Sequence, residues 1–106
     1  AIAIFGLESG AALAQKRKGR LVVVTPGMVE LGPVQYQRNQ QLAKAVISAG
    51  GELMIVGRTN RKALLEGASG KATLFDTRPD AVKAALRAAG ERGVILYEND
   101  LPDHYP

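Results

Sequence analysis

Apolar and polar positions alternate in blocks along the chain, and each block has the length of a strand or a helix. The clearest block is Arg20–Thr25, in which Leu21 and three valines follow one another without a polar interruption. Such a run predicts a strand that is buried on both faces, as in a parallel sheet. We expect Pro26 to end this strand. Shorter apolar blocks predict four further strands, at Ala1–Phe5, Leu53–Val56, Ala72–Phe75 and Val94–Tyr97.

Helical segments separate the predicted strands. One helix is expected to open at Pro33, where a missing amide hydrogen costs nothing, and to end near Ala49 before Gly50-Gly51. A shorter helix is expected up to about Glu66, with Thr59 or Asn60 as its cap. Another runs from Ser9 to about Arg17. The apolar residues with helical spacing in the Pro33 helix are Val34, Leu42, Ala45, Val46 and Ala49.

The last predicted helix begins at Thr77-Arg78-Pro79-Asp80, which resembles a capping box with Asp in place of Glu. Helical spacing then predicts one apolar face that consists of Val82, Ala85, Leu86 and Ala89.

Five strands in alternation with four helical segments predict one three-layer α/β/α domain, residues 1–106, with a mainly parallel, Rossmann-like sheet. Right-handed crossovers place helices on both faces of such a sheet. Ligands gather beyond the carboxyl ends of its strands. We therefore expect any site to use the following loops: Gly6–Gly10, Pro26–Gly32, Gly57–Asn60, Asp76–Asp80 and Glu98–His104.

Composition narrows the function classes. The formal net charge is +4, and a cluster of cations at Lys16, Arg17, Lys18 and Arg20 contributes much of it. This cluster coincides with a predicted helix C-terminus, where the backbone dipole favours cations, although phosphate or nucleic acid could also bind there. Two Phe, three Tyr and no Trp disfavour a base-stacking platform, so we expect no nucleic-acid partner.

The chain has no cysteine and therefore no thiol or disulfide chemistry. No apolar run approaches the roughly 18–20 residues that cross a bilayer, so we expect a cytoplasmic protein without a membrane partner.

Several local patterns hint at ligands. The Gly6–Gly10 turn lacks the G-x-G-x-x-G spacing of a dinucleotide site, and no phosphate-cradling P-loop sequence occurs. His104 is the only histidine, so we expect no metal site. Glu98, Asp100 and Asp103 nevertheless carry carboxylates of the kind that bind a hard cation such as Mg²⁺, so this alternative stays open. Gly57–Lys62 contains three cations at the start of a predicted helix. They are consistent with an anion-binding site and equally with a helix start that is exposed to solvent.

Two loops go beyond generic α/β chemistry, namely Thr25–Gly32 (TPGMVELG) and Leu96–Pro106 (LYENDLPDHYP). The first resembles the G-D-M-x-E-L-G loop that follows a buried strand in the C-terminal domains of Mur ligases. Gly57–Gly67 (GRTNRKALLEG) looks like the next strand end of that family. The second loop resembles a branch close to the UDP-N-acetylmuramoyl-tripeptide–D-alanyl-D-alanine ligase.

The resemblance implies a function. Mur ligases activate a carboxylate as an acyl phosphate, and an amine then attacks to form an amide bond of peptidoglycan. Their central domain holds ATP and Mg²⁺, the first domain binds the UDP-muramoyl peptide, and the C-terminal domain brings the incoming amino acid or dipeptide and closes over the nucleotide. This chain would be such a C-terminal domain, with the central ATP-binding domain of the same polypeptide as its partner. Because it has no P-loop, we expect it to hold no cofactor and to lack catalysis alone.

The residues expected at the interdomain or substrate cleft are Gly27, Met28, Glu30, Arg58, Asn60, Asn99 and Asp100. Glu30 and Asp100 suit a substrate ammonium, and Arg58 suits a carboxylate or phosphate because of its forked donors.

The chain also departs from the family pattern. The D-D-x-Y-N-x-N-P segment is absent near the start, Asn39 stands where a histidine is common, and Glu98 replaces a lysine. The resemblance therefore implies a domain role and no catalytic residue. Two other hypotheses remain: a stand-alone α/β module that binds a nucleotide or anion without catalysis, and an interaction domain in a wall-synthesis complex.

Overall fold

The computed structural model describes residues 2–3, 7–29 and 31–99. Strands and helices alternate along the chain, as the sequence predicts, in an α/β domain with a Rossmann-like parallel sheet. The elements are β1 (Ile2–Ala3), α1 (Leu7–Arg17), β2 (Leu21–Gly27), a 3-10 turn (Gly32–Val34), α2 (Gln35–Ser48), β3 (Glu52–Val56), α3 (Arg61–Gly67), β4 (Ala72–Phe75), α4 (Arg78–Ala89) and β5 (Val94–Asn99).

The sheet has the strand order β1-β5-β2-β3-β4, and each of these neighbouring pairs is parallel. The chain steps outward from β2 to β4 and then returns, so that β5 lies between β1 and β2. β2 therefore has a neighbour on each side, and its three valines are fully buried. The unbroken apolar run reflects this central position, because both faces of the strand are covered.

Two apolar cores lie on opposite faces of the sheet. Leu21 and Val23 point into the larger core, which α1, α2 and α3 cover. Val22 and Val24 point into the smaller core, which contains Ala81, Ala85 and Ala89 of α4. Three helices on one face and one helix on the other complete the predicted three layers.

The prediction that Pro26 ends β2 is wrong, because the strand continues to Gly27. The register with β5 shifts between Val24 and Gly27, so Pro26 lies within an irregularity of the ladder. A proline is tolerated there because its missing amide hydrogen removes no regular ladder bond.

The predicted apolar faces of two helices are also partly wrong. In α2 the buried residues are Asn39, Ala43 and Val46, whereas Val34 precedes the helix and is 44% exposed. In α4 the residues against the sheet are Ala81, Ala85 and Ala89, and Leu86 is 53% exposed. Alanines at a spacing of four share one face, and their small size lets the helix approach the sheet closely.

The carboxyl ends of β2, β3, β4 and β5 lie at one edge of the parallel sheet, which we call the carboxyl rim. After β3 the chain enters α3 on the larger core, and after β4 it enters α4 on the opposite face. The crevice between β3 and β4 is therefore a topological switch point, where ligands of parallel sheets usually bind. Within the described residues, no helix is both long enough and apolar enough to cross a bilayer.

Candidate functional site at the carboxyl rim

Gly27 of β2 and Asn99 of β5 are register partners at the end of the two strands. Because the strands are parallel neighbours, the chain leaves both at adjacent points of the rim. Gly27 of the TPGMVELG loop and Asn99 of the LYENDLPDHYP segment, two stretches that the sequence pattern marks separately, therefore lie side by side.

Asn39 fixes the loop that follows β2. Its side-chain oxygen accepts the Met28 N–H at 2.7 Å, and its amide nitrogen donates to the Met28 carbonyl at 2.9 Å. The same nitrogen donates to the Gln35 carbonyl at 2.9 Å, one turn earlier in α2. Asn39 is fully buried, so these bonds replace the water that the loop backbone would otherwise need.

Asn60 ties the start of α3 to the same loop. It occupies the N-cap position, one of the two that the sequence predicts, but its side chain makes no capping hydrogen bond. Its amide nitrogen donates instead to the carbonyls of Pro26 and Met28, at 3.1 Å each. Its oxygen accepts from Nε2 of Gln35 at 3.0 Å. Thus β2, α2 and α3 meet in one buried amide network.

Gly27 makes this network possible. Its φ is +84°, and a Cβ at this position would lie 2.7 Å from atoms of both Asn39 and Asn60. Only glycine combines the left-handed backbone with this close approach. The Gly27 N–H donates to the Thr25 hydroxyl at 2.9 Å, and Thr25 is itself buried.

Two arginines flank one carboxylate at the switch point between β3 and β4. Arg61 donates to the Gly57 carbonyl at 3.2 Å and lies 3.4 Å from Asp76 Oδ1. Arg58 approaches the same oxygen at 3.5 Å. The Arg61 side chain is 21% exposed and the Arg58 side chain 78% exposed, so Arg61 is part of the framework and Arg58 faces solvent.

A third guanidinium stands at the start of α4. Arg78 lies 4.2 Å above the ring centroid of Tyr97, within the range of a cation–π contact. Thr77 accepts the Asp80 N–H at 3.4 Å, so the predicted Thr cap is confirmed. Arg58 and Arg61 share the single carboxylate of Asp76, and two cations beside one acid favour an anionic group.

Tyr36 and Glu66 form an exposed pair beside the amide network. The Tyr36 hydroxyl donates to Glu66 Oε1 at 2.5 Å, and Nε2 of Gln40 donates to the same oxygen at 3.0 Å. The hydrogen bond to the Glu66 carboxylate raises the pKa of Tyr36 above its usual value. The pair therefore holds an exposed aromatic ring in a fixed orientation.

Five of the seven predicted cleft residues fall within the described part of the chain. Gly27, Met28 and Asn60 are brought into direct proximity, and Arg58 lies on the same rim. The backbone of Asn99 lies opposite Gly27. Glu30 and Asp100 lie outside the described residues, as do Asp103 and His104.

Asn39 and Gln35 also belong to the site, although neither is among the residues predicted from the sequence. A signal was present, because Asn39, Ala43 and Val46 share one helical face and a polar residue on a buried face needs partners.

Among residues 2–3, 7–29 and 31–99, no group of three His, Asp or Glu side chains is placed to hold a metal ion. Comparison of the chain with protein-family models, curated proteins and solved structures gave no match.

Proposed function

We propose that this chain is the C-terminal, substrate-closing domain of a Mur-type ATP-dependent ligase of peptidoglycan synthesis. The observation that carries the proposal is the register pair Gly27–Asn99. The two loops that resemble the Mur family, Thr25–Gly32 and Leu96–Pro106, each contain one residue of this pair, so both can meet a substrate that a neighbouring domain presents to the rim.

The network of Asn39 and Asn60 supports a role in positioning. A loop that closes over a reactive intermediate must keep its shape when it docks, because misplacement by about 1 Å can cost roughly 100-fold in rate. The Met28 backbone is held from α2 and from the start of α3, through buried side chains. Closure of such a preformed rim would orient the incoming amine and exclude water from the acyl phosphate.

Arg58 is the residue we assign to the incoming substrate. Its guanidinium is exposed and lies at the switch point, and among the described residues its ion pair is a long contact to Asp76 at 3.5 Å. A forked guanidinium suits the carboxylate of an amino acid or dipeptide. We assign ATP and Mg²⁺ to the central domain because this chain carries no P-loop sequence. Glu30 and Asp100 remain proposed partners of the substrate ammonium.

The proposal is tested first by the coding region that flanks this chain. It requires an upstream P-loop domain in the same reading frame. The encoded polypeptide should then release phosphate from ATP only when both a UDP-muramoyl peptide and an amino acid or dipeptide are present. A flanking region without a P-loop domain, or phosphate release that ignores the amine substrate, would refute it.

A matched pair of arginine variants tests the rim in that polypeptide. Arg58→Ala should raise KM for the carboxylate-bearing amine about 10- to 100-fold, because a charged hydrogen bond contributes about 1.5–3 kcal/mol. Arg87→Ala is the control, since Arg87 is an exposed arginine in the last turn of α4, far from the rim. Equal effects of the two substitutions on KM would show that Arg58 does not bind the substrate.

One observation favours the alternative, a stand-alone module for a nucleotide or anion. The cations around Asp76 need no second domain to attract a phosphate. Saturable binding of ATP or ADP by the 106-residue chain, abolished by Arg58→Ala, would support this alternative over the ligase domain.

A further inference from the structure

The end of the domain opposite the carboxyl rim carries a group of exposed cations. Here the turn after α1 packs against the turn before β5. Arg17 donates to the backbone carbonyls of Glu91 and Arg92, at 3.0 and 3.2 Å. A Cβ on Gly19 would lie 2.1 Å from the Arg92 carbonyl, so glycine permits the contact. This contact unites five cations, which we call the basic end: Lys16, Arg17, Lys18, Arg20 and Arg92.

The charges of the basic end are only partly neutralised. Arg20 pairs with Glu52 at 2.9 Å, whereas Arg17 uses neutral carbonyls as acceptors. Among the described residues, Lys16, Lys18 and Arg92 have no carboxylate within salt-bridge distance. All five cationic residues are exposed.

Helix dipoles account for part of this charge but not for all of it. The C-termini of α1 and α4 each contribute about half a negative charge. Together with Glu52 and Glu91, these two helix C-termini offset only part of the charge of the five cations.

An apolar surface adjoins the basic end. A shallow hollow of about 510 Å³ on α1 is lined by Ser9, Ala12, Leu13 and Lys16. Cations beside exposed apolar surface are the combination that a lipid–water interface favours. A platform for single-stranded nucleic acid uses aromatic side chains for stacking, and no aromatic residue occurs in the two turns, 17–20 and 90–93.

We propose that the basic end is a docking surface for an anionic phospholipid bilayer. The inference departs from the expectation that the chain has no membrane partner, and it does not depend on the proposed ligase function. Binding would be peripheral and electrostatic, through Lys16, Lys18 and Arg92. Because the carboxyl rim lies at the other end of the strands, it would stay accessible to substrate.

Vesicle binding by the 106-residue chain tests the proposal. The chain should bind vesicles that contain phosphatidylglycerol and should not bind vesicles of phosphatidylcholine alone. Binding should weaken as salt rises, since salt screens exposed charges. The double variant Lys16→Gln/Lys18→Asn should lose roughly 25-fold in vesicle affinity, because each cation near an anionic surface contributes about fivefold. Asparagine is chosen for Lys18 because its φ is +57°.

A control variant distinguishes the effect of the charges at the basic end from the effect of the net charge of the whole chain. Lys62→Gln/Lys83→Gln lowers the net charge equally, but it alters exposed lysines of α3 and α4 outside the basic end. It should retain most of the vesicle affinity, and circular dichroism should show that both variants are folded. Equal loss in both variants, no binding to anionic vesicles, or tighter binding to duplex DNA at the same salt concentration would each overturn the proposal.

Discussion

The side-chain amide of Asn39 pairs with the backbone of Met28 through both of its groups, accepting from the N–H and donating to the carbonyl. It therefore presents to the loop the donor and acceptor pattern that a neighbouring strand would present. The loop after β2 can leave the sheet and keep its buried polar groups satisfied because α2 supplies this partner. Asn39, which lies on an otherwise apolar face of α2, therefore fixes the shape of the rim.

Loss of the Asn39 amide should therefore destabilise the domain. Asn39→Ala removes three hydrogen bonds and leaves backbone groups of Met28 and Gln35 without that partner. We expect the free energy of unfolding to fall by about 2–4 kcal/mol. Urea denaturation measures this loss, and Gln41→Ala, at an exposed position of the same helix, is the control. A change below about 0.5 kcal/mol for Asn39→Ala, the range of ordinary surface substitutions, would contradict the assigned role.

Gly27→Ala should be more damaging than alanine at another glycine with a positive φ. At Gly27 the new methyl group would strain the backbone and also lie 2.7 Å from Asn39 and Asn60. At Gly50 the φ is +78° and nothing lies within 4 Å of a Cβ, so Gly50→Ala measures the backbone strain alone. We expect that strain to cost about 1–2 kcal/mol and Gly27→Ala to cost clearly more. Equal denaturation midpoints for the two variants would show that Asn39 and Asn60 can move away from the new methyl group without a measurable loss of stability.

Arg61 and Arg58 should differ in stability effect although they share Asp76. Arg61→Ala removes a mostly buried stem and the bond to the Gly57 carbonyl, and we expect a loss of about 1–2 kcal/mol. Arg58→Ala removes an exposed contact and should cost less than about 0.5 kcal/mol. Thermal and urea unfolding of both variants checks the difference. The reverse order would mean that Arg58 is committed to the fold and unsuited to a ligand.

The hydrogen bond between Tyr36 and Glu66 should make the stability of the domain depend on pH in the alkaline range. Because the pKa of Tyr36 is raised by its hydrogen bond to Glu66, the folded state holds the phenol proton more tightly than the unfolded state. The pair's contribution to stability is therefore complete below the unfolded pKa of about 10 and is lost as pH rises through the folded pKa. The absorbance of the phenolate measures the titration, and Tyr36→Phe identifies which transition belongs to Tyr36.

Glu66→Gln is the informative variant for this pair. It removes the carboxylate charge and keeps a side chain of similar size, so the Tyr36 transition should move to lower pH. An unchanged transition would show that Glu66 does not hold the phenol in solution.

The sequence predicted the fold class well because its strongest signals are local. The run from Leu21 to Val24 required a strand covered on both faces, and Gly50-Gly51 and Thr77 marked helix ends correctly. The resemblance also selected a loop that the structure places on the carboxyl rim. Its functional meaning remains the proposal made above.

The errors arose where a residue's environment is set by distant parts of the chain. Pro26 was expected to end β2, but the register shift against β5 accommodates it within the strand. Thr59 or Asn60 was expected to cap α3, and Asn60 does occupy the N-cap position, yet its amide reaches carbonyls 32 and 34 positions earlier in the chain instead of capping the helix. Leu86 was expected in the core, but it is exposed, and Ala81, Ala85 and Ala89 pack against the sheet instead.

The sequence by itself determined the alternation of strands and helices, the buried central strand and the candidate loops, because hydrophobic periodicity and turn residues act over a few neighbours. Only the tertiary structure decided that β5 lies beside β2, that Gly27 faces Asn99, and that Asn39 and Asn60 hold the same loop. The physical reason is that strand order and buried hydrogen-bond partners depend on which distant segments meet, and no local pattern encodes that choice.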